Sequence, residues 1–287
     1  MTSVRPRRSM LFMPGSNARA LEKAKSLSCD GVIFDLEDAV APDEKKMARE
    51  QVKTTLMAGG YGRREVVVRI NGLDTPWWQE DILALAGGAP DAVLVPKVEA
   101  SSTVQAVEAE LTTVGLADVP IWAMLETPRG YLRAENIAAS SGRLACFIIG
   151  TNDLVKDLRG RHTRERLPVV TALGLALLVA RSYGLTVLDG VYNDFHDSEG
   201  FAAECKQGRD FGFDGKTLIH PAQTELANQV YGVSQAELQE AKRLIETFEQ
   251  TAGKGVAVLD GKMIEELHVE EARRISAMAE AIADANE

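Results

Sequence analysis

The stretch IWAMLETPRG, residues 121–130, is an apolar run that stops on a carboxylate, Glu126, with Pro128 just beyond it. A short apolar run bounded by turn formers suits a strand buried on both faces of a parallel sheet, and proline is preorganised for the first turn of a helix. Comparable runs are SMLFMP (9–14), GVIFDLE (31–37), EVVVRIN (65–71), AVLVPKV (92–98), ACFIIG (145–150), LTVLDGV (185–191) and GKTLIH (215–220). Between them NARALEKAKSL, DEKKMAREQVKTTLM, STVQAVEAELTTV and LPVVTALGLALLVARSYG place apolar residues at helical rather than alternate intervals. Asp43, Ser101 with Ser102, and Pro168 mark helix starts. Eight strands alternating with helices predict an α/β fold, the (β/α)8 TIM barrel.

After the eighth run, SQAELQEAKRLIETFEQTAG and HVEEARRISAMAEAIADANE flank GKGVAVLDGKM, which reads as a hinge. The expected division is a barrel over residues 1–232 that carries the active site, and a C-terminal helical extension or lid over 233–287. There is no internal repeat and no low-complexity segment.

Composition narrows the function classes. A chain of 287 residues with 45% hydrophobic content can bury a large core. Its formal charge of -10 weighs against a nucleic-acid-binding surface. No apolar run is long enough to span a bilayer, and the N-terminus has only a short, proline-broken apolar stretch after its basic residues, so the expected location is cytoplasmic. Cys29, Cys146 and Cys205 are odd in number and far apart, and read as buried small hydrophobes rather than disulfides or zinc ligands. Arg5, Arg7, Arg8, Arg19, Lys23 and Lys25 form a local basic group that suits either a solvated edge or a phosphorylated ligand.

In such a barrel the active site lies where the strands end. The residues closing these runs are polar: Glu37 and Asp38, Arg69 and Asn71, Lys97, Glu126, Asp153, Asp189 and His220. Glu126 and Asp153 arise on adjacent strands and suit a hard divalent cation, Mg²⁺ best, which takes one or two carboxylates and keeps positions for water and substrate. Each equally suits a helix cap. Arg69, inside VVVRIN, needs a carboxylate partner such as Glu37 or Asp38, or an anionic ligand. Lys97 is read as a charged ion-pair residue rather than a Schiff base. His196 and His220 are read as a helix-start histidine and a strand-end hydrogen-bond donor. The absence of G-x-G-x-x-G, Walker A and G-x-S-x-G motifs weighs against dinucleotide, P-loop and α/β-hydrolase chemistry.

RRSMLFMPGSN, FDLEDAVAPDEK, VVVRINGLDTPWW, VPKVE, LETPRG, GTNDL and GFDGKTLIHPAQ, in this order along nearly the whole chain, resemble the citrate lyase beta subunit and malyl-CoA or citramalyl-CoA lyase family, within the HpcH/HpaI aldolase superfamily. The resemblance implies a Mg²⁺-dependent barrel that cleaves or forms a carbon–carbon bond between the acetyl group of a CoA thioester and a 2-oxo acid. Carried onto this chain, it makes Glu126 and Asp153 the metal ligands, Arg69 the substrate-binding arginine, and Glu37 and Asp38 the acidic pair beside the metal. Phe12 and Lys23 match CoA-contacting positions. Asn17 stands where those enzymes often have arginine, and Arg19 is the substitute.

The family's lid motif ends in an acid–base aspartate, often in the neighbouring subunit's site. Here GKMIEEL places Glu265 there, a longer side chain whose carboxylate is displaced by roughly 1 Å. Glu265 fits that role or that of a surface residue at a helix start. The alternatives within the family are a malyl-CoA thioesterase or malate synthase-like activity, and a citryl thioester subunit acting with an acyl-carrier protein. A homotrimer or homohexamer is implied as well.

Overall fold

The computed structural model describes residues 4–251 and 256–286. Eight strands form a closed, all-parallel barrel in sequential order: β1 (Ser9–Pro14), β2 (Gly31–Asp35), β3 (Glu65–Arg69), β4 (Ala92–Val95), β5 (Ile121–Leu125), β6 (Leu144–Ile149), β7 (Thr186–Asp189) and β8 (Gly215–Leu218). β8 pairs with β1 through Ser9 opposite Lys216 and Leu11 opposite Leu218, which closes the ring. The helices are α1 (Ala18–Ala24), α2 (Lys45–Ala58), α3 (Trp78–Leu85), α4 (Ser101–Thr113), α5 (Pro128–Leu132), α6 (Ala134–Ala138), α7 (Thr151–Asp157), α8 (Val170–Ser182), α9 (Ser198–Phe211) and α10 (Thr224–Tyr231). This is the (β/α)8 TIM barrel that the apolar runs predict.

Alternate residues of each strand point inward. Met10, Ile33, Val67, Leu94, Trp122, Met124, Cys146, Ile148 and Leu188 make one buried interior cluster, with Phe12 packed against it. The strands end earlier than the apolar runs do. β2 stops at Asp35, β3 at Arg69 and β5 at Leu125, so Glu37, Asn71 and Glu126 belong to the connections that leave the barrel's C-terminal end. All three cysteines are free and buried.

Three helix-start expectations are corrected. Asp43 lies in a short 3₁₀ turn, Pro42–Glu44, and caps nothing through its side chain. Ser101 and Ser102 sit inside the first turn of α4 behind Ala100, without a side-chain cap. Pro168 precedes α8, whose N-cap is Val169. The basic group is largely consumed by pairing. Arg7 holds Glu65 at 2.6 Å, Arg8 holds Asp30 at 2.6 Å and Lys25 holds Glu22 at 2.7 Å.

Contacts divide the described residues into two units, Arg7–Val230 and a second that begins at Tyr231 and includes residues 4–6. In the second unit lie α11 (Gln235–Gln250), an antiparallel hairpin of β9 (Val256–Leu259) and β10 (Lys262–Glu265), and α12 (Glu266–Asn286). Ser234 and Glu237 form a reciprocal capping box at the start of α11. Ala257, Ile264 and Val269 are buried together, with Leu244, Ile245 and Phe248 against them. Most of the expected hinge is therefore a hairpin, Val256 to Met263. Its first three residues, 253–255, lie outside the described residues. No described helix is long and apolar enough to cross a membrane.

Candidate active site

The C-terminal ends of β1 to β8 surround a cavity of about 340 Å³ lined by Phe12, Asp35, Asp38, Arg69, Glu126 and Asp153, among others. A neighbouring cavity of about 300 Å³ shares Asp38 and adds Glu37, Asn71 and Lys97. One barrel mouth thus collects most of the residues singled out from the sequence.

Arg69 is the first element of its order. Its guanidinium is buried, and Asp35 grips it in bidentate fashion, Nε to Oδ1 at 2.7 Å and Nη2 to Oδ2 at 2.5 Å. Nη1 reaches Glu37 Oε2 at 2.9 Å and Asp38 Oδ2 at 3.9 Å. The ring of Phe12 lies 4.8 Å from the guanidinium carbon, a cation–π contact. Burial alone would lower the Arg69 pKa, but Asp35 outweighs it and the group is held more firmly protonated than usual.

The chief partner of Arg69 is therefore Asp35, rather than the Glu37 or Asp38 expected from the sequence. Asp35 and Arg69 are register partners on β2 and β3. Asp35 also accepts the backbone N–H groups of Glu37 and Ala39, at 2.9 and 3.1 Å, so one carboxylate shapes both the arginine and the acidic loop. The available signal was the alternation of Ile33, Asp35 and Glu37 on one face of the run.

Lys97 follows β4 with a left-handed backbone, φ +50°, a conformation that costs a non-glycine residue on the order of 1 kcal/mol. Its ammonium bonds to Glu37 Oε1, and its backbone N–H donates to Glu126 Oε1 at 2.6 Å. Burial pulls the Lys97 pKa down, but the Glu37 carboxylate overrides this and keeps the ammonium charged. The ion-pair assignment made from the sequence holds.

Glu126 continues the inward alternation of Trp122 and Met124 one step past the end of β5. It is no cap: Thr127 caps α5, accepting the Gly130 N–H at 3.1 Å. Burial, and next the Glu37 charge, push the Glu126 carboxyl up to about 7. Glu37 is likewise raised, chiefly by burial, against the pull of Arg69 and Lys97. Asp153 stands in the first turn of α7, behind its N-cap Gly150, and makes no side-chain capping bond. Its carboxylate is 4.0 Å from Lys97 Nζ.

Gly150 is a second site residue beyond those expected from the sequence. A Cβ there would lie 2.4 Å from Glu126 Cβ and 2.7 Å from Glu126 Oε2, so the glycine makes room for the carboxylate. Gly150→Ala is expected to displace Glu126, lower activity about tenfold or more and cost about 1–3 kcal/mol. Activity and a urea midpoint both unchanged would show that the contact is easily relieved.

Other expected residues stand elsewhere. Arg19 and Lys23 are exposed on α1 and do not line the cavity at the barrel mouth. Asn17 caps that helix, accepting the Ala20 N–H at 3.0 Å, which accounts locally for its identity. Glu265 ends β10 in the second unit, where its N–H donates to His268 at 3.0 Å. His220 accepts from the Ala222 N–H through Nδ1 at 3.2 Å and donates its backbone N–H to Gln223 Oε1 at 3.2 Å. His196 precedes α9, which Asp197 caps. Asp189 is engaged structurally with Arg166 and Lys216.

Charge bookkeeping points to a cation. Asp35 and Glu37 are neutralised by Arg69 and Lys97, whereas Glu126 receives only a backbone N–H and Asp153 only the distant Lys97 ammonium. Among the described residues no group of three or more His, Cys, Asp or Glu could hold a metal. A hard divalent ion held by Glu126 and Asp153 would complete its shell with water and substrate, which is the habit of Mg²⁺. The donor set fits such an ion.

Comparison with known proteins follows the same lines. The family model described as HpcH/HpaI aldolase/citrate lyase matches residues 8–221. A (3S)-malyl-CoA thioesterase from Cereibacter sphaeroides is 54% identical over 280 residues, covering 97% of this chain and 96% of that one. The citrate lyase subunit beta of Escherichia coli is 36% identical over 284 residues, covering 96% and 94%. The crystal structure of the protein CitE from Mycobacterium tuberculosis, in complex with magnesium, acetoacetate and coenzyme A, superposes with a TM-score of 0.76 at 29% identity, covering 95% of this chain and 97% of that one.

Proposed function

The chain belongs to the HpcH/HpaI aldolase/citrate lyase family, and from that premise we propose that it is a Mg²⁺-dependent enzyme of malyl-CoA-type thioesters whose net reaction is hydrolysis to the hydroxy acid and free CoA. The observation that carries the substrate class is the 54% identity to a malyl-CoA thioesterase along 97% of the chain. Carbon–carbon cleavage to acetyl-CoA and a 2-oxo acid, placed first from the sequence, becomes the second reading. The 36% identity to a citrate lyase beta subunit favours it, and an acyl-carrier thioester is its variant.

Glu126 and Asp153 would hold the ion. The chemistry it supplies when bound is Lewis-acid polarisation of substrate oxygens. Arg69, immobilised by Asp35, Glu37 and Phe12, presents a fixed positive charge to the cavity and binds a substrate carboxylate or developing oxyanion without reorganising. Asp38 is exposed on the rim of both cavities and can take up a proton there. Glu265 of the second unit is the other candidate acid or base. Phe12, Arg19 and Lys23 are assigned to the CoA arm, and the protein is assigned a cytoplasmic location and a trimeric or hexameric state.

The deciding assay gives pure protein malyl-CoA, citramalyl-CoA and citryl-CoA with Mg²⁺ and measures free CoA and acetyl-CoA separately. Free CoA in excess, abolished by EDTA and restored by Mg²⁺, is the expected result. Acetyl-CoA with an equivalent of 2-oxo acid moves the assignment to the lyase, and no turnover of any thioester overturns both.

A further inference from the structure

We propose that Lys97 is a built-in counter-cation of the barrel-mouth carboxylates and that it weakens their hold on the bare divalent ion. The inference rests on Glu126 and Asp153 being the seats of that ion. One residue touches both sides of the seat. The Lys97 backbone N–H holds Glu126 at 2.6 Å, while its ammonium bonds to Glu37, lies 3.8 Å from Asp38 and stands 4.0 Å from Asp153.

The left-handed backbone, φ +50°, lets the main-chain donor and the side chain serve the same cluster. Strain of this kind persists at sites where it serves a purpose. The Lys97 side chain remains 37% exposed, in contrast to Arg69 at 9%, so its flexible stem has open space to move into.

The Lys97 ammonium stands beside the two carboxylates that would hold the ion, so either its repulsion of a divalent cation or its displacement from Glu37 would weaken binding. A substrate carboxylate arriving with the ion adds negative charge and offsets the repulsion. Ion and anionic substrate therefore bind better together than apart, and the carboxylates are not left as an uncompensated buried cluster in their absence.

The test is direct binding of Mn²⁺ and Mg²⁺ by calorimetry to chelator-stripped full-length protein, without turnover. Lys97→Gly keeps the N–H and adopts the left-handed backbone without strain; Lys97→Met preserves bulk. Removal of the ammonium is expected to tighten Mn²⁺ and Mg²⁺ about tenfold. Lys97→Gly decides the outcome if the methionine variant folds poorly. Unchanged or weaker affinity in Lys97→Gly overturns the proposal and leaves the metal site standing. Wild-type protein that binds neither ion at millimolar concentration, like Glu126→Gln, overturns the metal site together with it.

Discussion

Glu126→Gln is expected to abolish turnover, by about a thousandfold or more, while the barrel stays folded. Glutamine has the same shape and retains an oxygen to accept the Lys97 N–H, now at 2.6 Å. What it lacks is the charge. With Asp153 as the remaining carboxylate, Mg²⁺ affinity should fall about a hundredfold. Stability should hold or improve, because the native carboxyl is buried beside Glu37 and its charged form is disfavoured there. Calorimetric titration with Mg²⁺, the thioester assay and a urea transition measure the three quantities separately. Activity within tenfold of wild type would remove Glu126 from the reaction.

Lys216→Met should produce the largest loss of stability, about 3–5 kcal/mol. Lys216 is fully buried, and its ammonium lies 3.0 Å from Asp189 and 2.7 Å from Glu204. Arg166 Nη1 adds bonds of 2.7 and 2.8 Å to the same Asp189 carboxylate. The four groups balance, two positive and two negative. Methionine fills the volume but leaves one buried carboxylate uncompensated, a large fraction of a typical domain's 5–15 kcal/mol.

Burial alone would raise the Asp189 pKa, but Lys216 and Arg166 outweigh it and hold the carboxyl below its ordinary 3.8. That pairing stabilises the native state above pH about 4 and is lost as pH falls through the lower native value. In Lys216→Met the loss should begin at higher pH. A second change, Glu204→Gln, should restore much of the stability. Urea midpoints across pH 3 to 7 read all of this, and a loss below 1 kcal/mol for the single variant would mean that the cluster rearranges freely.

Asp35 shows why the site was only partly legible. The sequence places Arg69 in a buried strand and demands a carboxylate for it, and three acidic residues lie within four positions of one another at the end of the β2 run. Which of them answers depends on strand register. β2 and β3 align Asp35 with Arg69 as direct neighbours, whereas Glu37 is already in the loop and Asp38 is exposed. Likewise, an apolar run ending in glutamate is visible in residues 121–126, but the room for Glu126 comes from Gly150, on the neighbouring β6 connection. The β9–β10 hairpin is not legible in the sequence because its strands are short and their alternation packs against α11 and α12 rather than a large sheet.

Local order of the chain by itself determined the eight β/α repeats and the end of the barrel at which the polar residues gather, since periodicity and strand-terminal chemistry are properties of adjacent residues. Only the tertiary structure decided that Asp35 rather than Glu37 grips Arg69, that Lys97 turns left-handed to serve Glu126 and Glu37 together, and that Asp189 belongs to a buried ion cluster. Those facts depend on register and barrel closure. They are settled by packing between segments far apart in the chain, and a local alternation such as Ile33, Asp35 and Glu37 names candidates without choosing among them.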